Sequence, residues 1–167
     1  MPTFRQAVIQ YGAQICPGCS AWANGTYQYV SFVRGAYSQV YPMTVTANAF
    51  DLWARYARQP GWMEIPEASA SPTERGIPAP GDVMVFKDAS LGHAGIVMSV
   101  ELPTSTTIGA ITISNANSVS PYTTTPLLPD LTVDTSSWPG YTVWGYIRPS
   151  PGVAFAQPTS PPGQIHR

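Results

Sequence analysis

Apolar residues in the first third of the chain recur three and four positions apart, and from Trp62 onward they gather into short runs, so helices are expected first and strands afterwards. Phe4, Ala7, Val8 and Tyr11 predict a short amphipathic helix over residues 3–14, with Thr3 as its N-cap. Pro17-Gly18 breaks it. From Cys19 on, Trp22, Ala23, Thr26, Tyr27, Val30, Val33 and Tyr37 predict a longer helix that opens at the cysteine. Gly25 weakens that helix by about 1 kcal/mol relative to alanine. A third helix is expected over residues 46–58, with Ala49, Phe50, Trp53 and Tyr56 on one face and Gln59-Pro60-Gly61 ending it.

Strands are expected at 62–66, 82–86, 93–101, 107–115 and 141–148, with Thr104-Ser105-Thr106 turning a hairpin between the third and fourth. Helices followed by consecutive antiparallel strands is the α+β pattern, not alternating βαβ. Residues 118–140 carry Pro121, Pro126, Pro129 and Pro139 and show little periodicity. Such a stretch is too long for a neutral connector and reads as a substrate-facing loop or an insertion. Two parts are expected: a domain over 1–149, and a proline-rich linker or tail over 150–167 through which further modules would be joined.

Composition narrows the class. The 167 residues suit one domain. Charged residues make up 10% of the chain and the net charge is −1, against roughly 25% charged in an average domain. Lys87 is the sole lysine, and the arginines are not clustered to follow a phosphate backbone, so nucleic acid is not an expected partner. No apolar run approaches the roughly 20 residues that span a bilayer, and no membrane partner is expected. The N-terminus shows no charged region followed by an apolar stretch, the mark of a signal peptide. A surface built on Ser, Thr, Asn and Gln suits an extracellular protein or one working among uncharged polymers. Two cysteines, Cys16 and Cys19, make neither a disulfide framework nor a zinc cluster.

The chemistry centres on one of them. Cys19 opens a predicted helix, where the dipole favours thiolate over thiol. His93 is the one histidine of the expected domain, since His166 falls in the tail, and it begins an apolar strand directly after Gly92. If 93–101 and 107–115 pair as a hairpin, the end of one lies beside the start of the other, and Asn115 becomes a neighbour of His93. Its amide oxygen would accept the imidazole N–H and fix the tautomer, the orienting role in Cys-His-Asn catalysis. Singly, each has a plainer explanation: a small buried hydrophobe, a structural histidine, a turn asparagine. The coincidence of all three points to chemistry.

Cys19-Ser20-Ala21-Trp22-Ala23, Asn48-Ala49 followed by Trp53, Pro80-Gly81-Asp82-Val83-Met84-Val85-Phe86, Gly92-His93-Ala94-Gly95-Ile96-Val97 and Ile111-Thr112-Ile113-Ser114-Asn115-Ala116-Asn117 resemble, in order and spacing, the motifs of CHAP domains, the cysteine, histidine-dependent amidohydrolase/peptidases of the NlpC/P60 superfamily. Trp144-Gly145-Tyr146-Ile147-Arg148-Pro149 resembles the last strand of such a domain. The resemblance implies a papain-like α+β fold, with N-terminal helices packed on a small antiparallel sheet, and hydrolysis of an amide bond in peptidoglycan. It makes Cys19 the nucleophile, His93 the base and then the acid, and Asn115 the orienting residue. Gln14, Trp22 and Asn117 become candidates for oxyanion or substrate contacts, the oxyanion also meeting the Cys19 backbone N–H. No cofactor or metal is implied, and no Asp-x-Asp-x-Asp run suggests a calcium loop. Cys16, the polar Asn24-Gly25-Thr26 and the length of 118–140 depart from the family pattern.

Other functions fit parts of the sequence. Cys16-Pro17-Gly18-Cys19 matches the C-x-x-C redox pair, but that motif needs a βαβ context which is missing here. A disulfide between the two thiols would mask the nucleophile until reduced. A general papain-type protease is disfavoured, because the interval from Cys19 to His93 falls well below the roughly 130–150 residues of that group. A catalytically silent wall-binding or structural module with the same fold is the alternative from a different class.

Overall fold

The computed structural model describes residues 48–56, 59–67, 77–114 and 122–150. The helices expected over 3–14 and from Cys19 lie outside these residues, as does the tail beyond Ser150. One helix, α1 (Ala49–Tyr56), is described. It starts three residues later than the expected 46, because Asn48 caps it: its side-chain oxygen accepts the Asp51 amide at 3.0 Å. Asp51 in the first turn and Arg55 in the last complement the helix dipole. Ala49, Leu52 and Tyr56, at three- and four-residue intervals, form its buried face.

Six strands follow: β1 (Trp62–Pro66), β2 (Val83–Lys87), β3 (His93–Glu101), β4 (Gly109–Ser114), β5 (Tyr122–Leu127) and β6 (Thr142–Pro149). They form one antiparallel sheet in the order β1-β6-β2-β3-β4-β5. A helix and an antiparallel sheet make the fold α+β, as the pattern implied. The β3–β4 hairpin turns where expected. There the Thr104 amide donates to the Thr107 carbonyl at 3.0 Å, and the Thr104 hydroxyl accepts the Thr107 amide at 3.0 Å. The turn takes up Thr107, so β4 starts at Gly109 rather than at 107.

The expectation of a strandless 118–140 is corrected. Tyr122–Leu127 pairs with β4 along its whole length. Its Thr123-Thr124-Thr125 run has the β-branched character that suits a pleated surface. Pro126 is tolerated because β5 ends the sheet and, among the described residues, its outer side meets an isolated bridge from Leu127 to Val133 rather than a full ladder, with the Pro126 carbonyl accepting the Asp134 amide at 2.9 Å.

One sheet face holds an apolar cluster in which Met84, Phe86, Val97, Ile111, Ile113 and Tyr146 are buried, with Trp138 and Tyr141 packed against it. Each fully buried side chain of this kind contributes about 1.5–3 kcal/mol. Helix α1 packs on β1 and β2, its Tyr56 ring edge-on to Trp62 at 4.5 Å. The β2–β6 ladder slips between Val85 and Phe86, leaving Trp144 as a bulge residue between Val143 and Gly145. The bulge turns Trp144 to the helix, where Trp53 stacks on it at 5.9 Å and Phe50 meets it edge-on at 4.7 Å. Gly145, at φ 153°, lies so close to the Ile65 carbonyl and Trp53 that a Cβ there would collide with both. No described helix is long and apolar enough to cross a membrane.

Candidate active site

His93 is positioned by the turn before it. The Asp88 carboxylate accepts the Ser90 amide at 2.7 Å and the Gly92 amide at 2.9 Å. Gly92 reverses the chain at φ 74°, and a Cβ on it would press on the Phe86 carbonyl and on Ala49. The Leu91 carbonyl accepts the Ala49 amide at 3.1 Å, which ties the turn to the start of α1. His93 then enters β3 opposite Phe86. It is buried, 6% exposed.

Three aromatic rings surround the imidazole. Phe86 is tilted to it at 5.7 Å and Trp138 at 5.6 Å, and Tyr141 is edge-on at 6.4 Å. The Asp88 carboxyl is held below the usual carboxylate range by the amides of Ser90 and Gly92, with the Tyr141 hydroxyl adding to the effect. Burial pushes the Tyr141 phenol up, and the Asp88 charge adds to that. The carboxylate that holds the turn delivering His93 therefore also acts, through its charge, on a ring that packs beside it.

Of the residues singled out in the sequence, His93 is described. Cys19, Asn115, Gln14, Trp22 and Asn117 lie outside the described residues. The described end of β4 runs beside the start of β3, with Ser114 paired to Ile96 and Ile113 to Val97. Trp138, Tyr141 and Asp88 were missed in the sequence. The available signal was the placing of Trp138 and Tyr141 on either side of Pro139-Gly140, an aromatic pair in an otherwise polar stretch. Among the described residues, no group of three or more His, Cys, Asp or Glu is arranged to hold a metal ion.

The family model described as "CHAP domain" matches residues 16–117, more than half of the chain. The span takes in Cys19, α1, β1 to β4 and His93, and runs through Asn115 and Asn117; Gln14 falls just before it, and β5, Trp138, Tyr141 and β6 after it. Neither a curated protein nor a solved structure matches the chain.

Proposed function

The chain belongs to the CHAP domain family, associated with the NlpC/P60-like cysteine peptidase superfamily, and from that premise we propose that it hydrolyses an amide bond of peptidoglycan with Cys19 as nucleophile and His93 as its base. CHAP membership points to peptidoglycan hydrolysis in general. The Cys-His-Asn chemistry goes further, as does the choice between the muramoyl–L-alanine bond and a stem or cross-bridge peptide bond. The observation that carries it is the matched span, residues 16–117, within which Cys19, His93 and Asn115 all fall. The turn built by Asp88 and Gly92 to hold His93 at the start of β3 supports it.

The Cys19 thiolate attacks the amide carbonyl, forming a carbon–sulfur bond and a tetrahedral oxyanion. The Cys19 backbone N–H and the Gln14 side chain are its proposed donors, with Trp22 and Asn117 as proposed substrate contacts. The carbon–nitrogen bond breaks as His93 gives its proton to the leaving amine. Water, deprotonated by His93, then attacks the thioester, and the carbon–sulfur bond breaks to release the carboxylate and restore the thiolate–imidazolium pair. Asn115 orients the ring. The papain-like arrangement, with the N-terminal helices packed on the sheet, is proposed along with this chemistry. So is a wall-directed, extracellular site of action, with residues 150–167 joining further modules.

The test is clearing of a cell-wall suspension by the wild type and by Cys19→Ala and His93→Ala. Both variants are expected to lose clearing while keeping the wild-type circular dichroism spectrum. Iodoacetamide should label Cys19 fast and Cys16 slowly. Mass spectrometry of the fragments released from defined peptidoglycan identifies the bond. A wild type that sediments with walls but releases nothing would establish the silent binding module instead.

A further inference from the structure

The chain beyond residue 117, outside the family match, returns to His93. After β5 the segment is pinned where the Val133 amide donates to the buried Glu67 carboxylate at 2.8 Å and where Val133 bridges to Leu127. Two backbone hydrogen bonds, Trp138 amide to Thr135 carbonyl at 2.8 Å and Tyr141 amide to Trp138 carbonyl at 3.0 Å, fold it into consecutive turns. Gly140 makes the reversal at φ 84°. The two aromatic side chains of these turns land on the imidazole.

We propose that Trp138 and Tyr141 are positioning residues for His93, confining its imidazole to one orientation. The proposal rests on His93 acting as the base in the amide hydrolysis put forward above. Trp138 lies nearly parallel to Phe86, with centroids 4.9 Å apart and planes 19° apart, so it cannot swing away from the imidazole without uncovering a ring that is 0% exposed. Tyr141 stands across all three neighbours, at 90° to Phe86, 81° to Trp138 and 76° to His93. Asp88, which accepts the Gly92 amide, also acts on the Tyr141 phenol through its charge. The imidazole is thereby braced by two aromatic neighbours, and the backbone that delivers it by Asp88. A base that must serve both the thiol and the leaving amine gains from such bracing, since a displacement of about 1 Å can cost on the order of a hundredfold in rate.

The test uses the whole chain carrying His166→Asn, so that His93 supplies the sole imidazole signals. The wild-type background is expected to show one set of ring 15N–1H correlations. Trp138→Ala should broaden or multiply them and lower kcat for wall hydrolysis by about tenfold with KM little changed, and Trp138→Phe should restore both. Tyr141→Leu, which removes the ring set edge-on to His93, should broaden the same signals, and it carries the test if Trp138→Ala does not fold. The proposal is overturned if Trp138→Ala and Tyr141→Leu both leave a single sharp set, or if Trp138→Phe is as impaired as the alanine variant. A single sharp set in a protein that hydrolyses nothing, broadened in the variants, would remove the hydrolase assignment and leave the positioning role standing.

Discussion

Asp88 accepts the Gly92 amide at 2.9 Å, one residue before His93, so a surface carboxylate sets the backbone that carries the proposed base. Asp88→Ala is expected to lower thermal stability and wall hydrolysis together, with Asp88→Asn intermediate because its amide oxygen still accepts. The folded carboxyl titrates below its ordinary value, so its contribution is fully present above the unfolded value of about 3.9 and fades as pH falls through the lower folded one. Melting temperatures of wild type and Asp88→Ala should therefore converge on acidification below about pH 4. A gap that stays constant down to pH 2 would show that the carboxylate charge is not what holds the turn.

Gly92→Ala should be more damaging than its size suggests. The residue sits at φ 74°, and the added methyl would press on the Phe86 carbonyl and Ala49. Strain of this kind costs about 1–3 kcal/mol, and relief comes by shifting the 88–92 turn and His93 with it. The expected result is a lowered denaturation midpoint and a loss of kcat larger than the stability loss explains. Wild-type kcat in a folded Gly92→Ala protein would refute the link between this turn and the base.

Much of this frame was legible from periodicity alone. The runs at 82–86 and 93–101 became β2 and β3 because a strand buried among neighbours leaves an apolar run in the sequence, and 62–66 became the edge strand β1. β5 was hidden because it is an edge strand: its exposed positions are Thr and Tyr rather than an apolar run, and Pro126 sits within it. His93 could be singled out because it is the one histidine of the expected domain and directly follows Gly92 at the start of an apolar run. Trp138, Tyr141 and Asp88 could not, since their approach to the imidazole depends on the path of the chain after β5, which no local pattern encodes. Asn115 was placed beside His93 on hairpin pairing alone. The pairing of β3 with β4 is as expected, while Asn115 itself lies outside the described residues.

Asp82, in the Pro80-Gly81-Asp82 motif, is structural. It is 1% exposed, pairs with Arg148 at 2.6 Å and accepts the Ala79 amide at 2.8 Å, fastening the turn before β2 to β6. Arg148 also donates to the Ile77 carbonyl at 2.8 Å. Arg148→Ala leaves the carboxylate buried without its cation and should cost about 3 kcal/mol in urea unfolding. The double variant Asp82→Asn with Arg148→Met removes both charges and should lose less than Arg148→Ala alone. Equal losses in the two proteins would mean that shape, not charge, makes the join.

Glu64 gives a pH dependence of the opposite sign. It lies on β1 opposite Ile147, one of its carboxyl oxygens is buried without a hydrogen-bond partner, and burial pushes its pKa from the usual 4.5 to about 7. A carboxyl raised on folding binds more protons in the folded state between those two values, so stability is greatest below pH 4.5 and falls as pH climbs through 7. Glu64→Gln keeps the shape and abolishes the ionisation. It should match the wild type near pH 4 and exceed it at pH 8 by about 1–2 kcal/mol, once solvent screening of a half-buried group is allowed for. In a domain of this size that corresponds to roughly 2–8 °C in melting temperature. Paired melts of the two proteins across pH 4–8 decide the matter: a difference that opens as pH rises supports a desolvated carboxyl on β1, and one that is flat with pH excludes it.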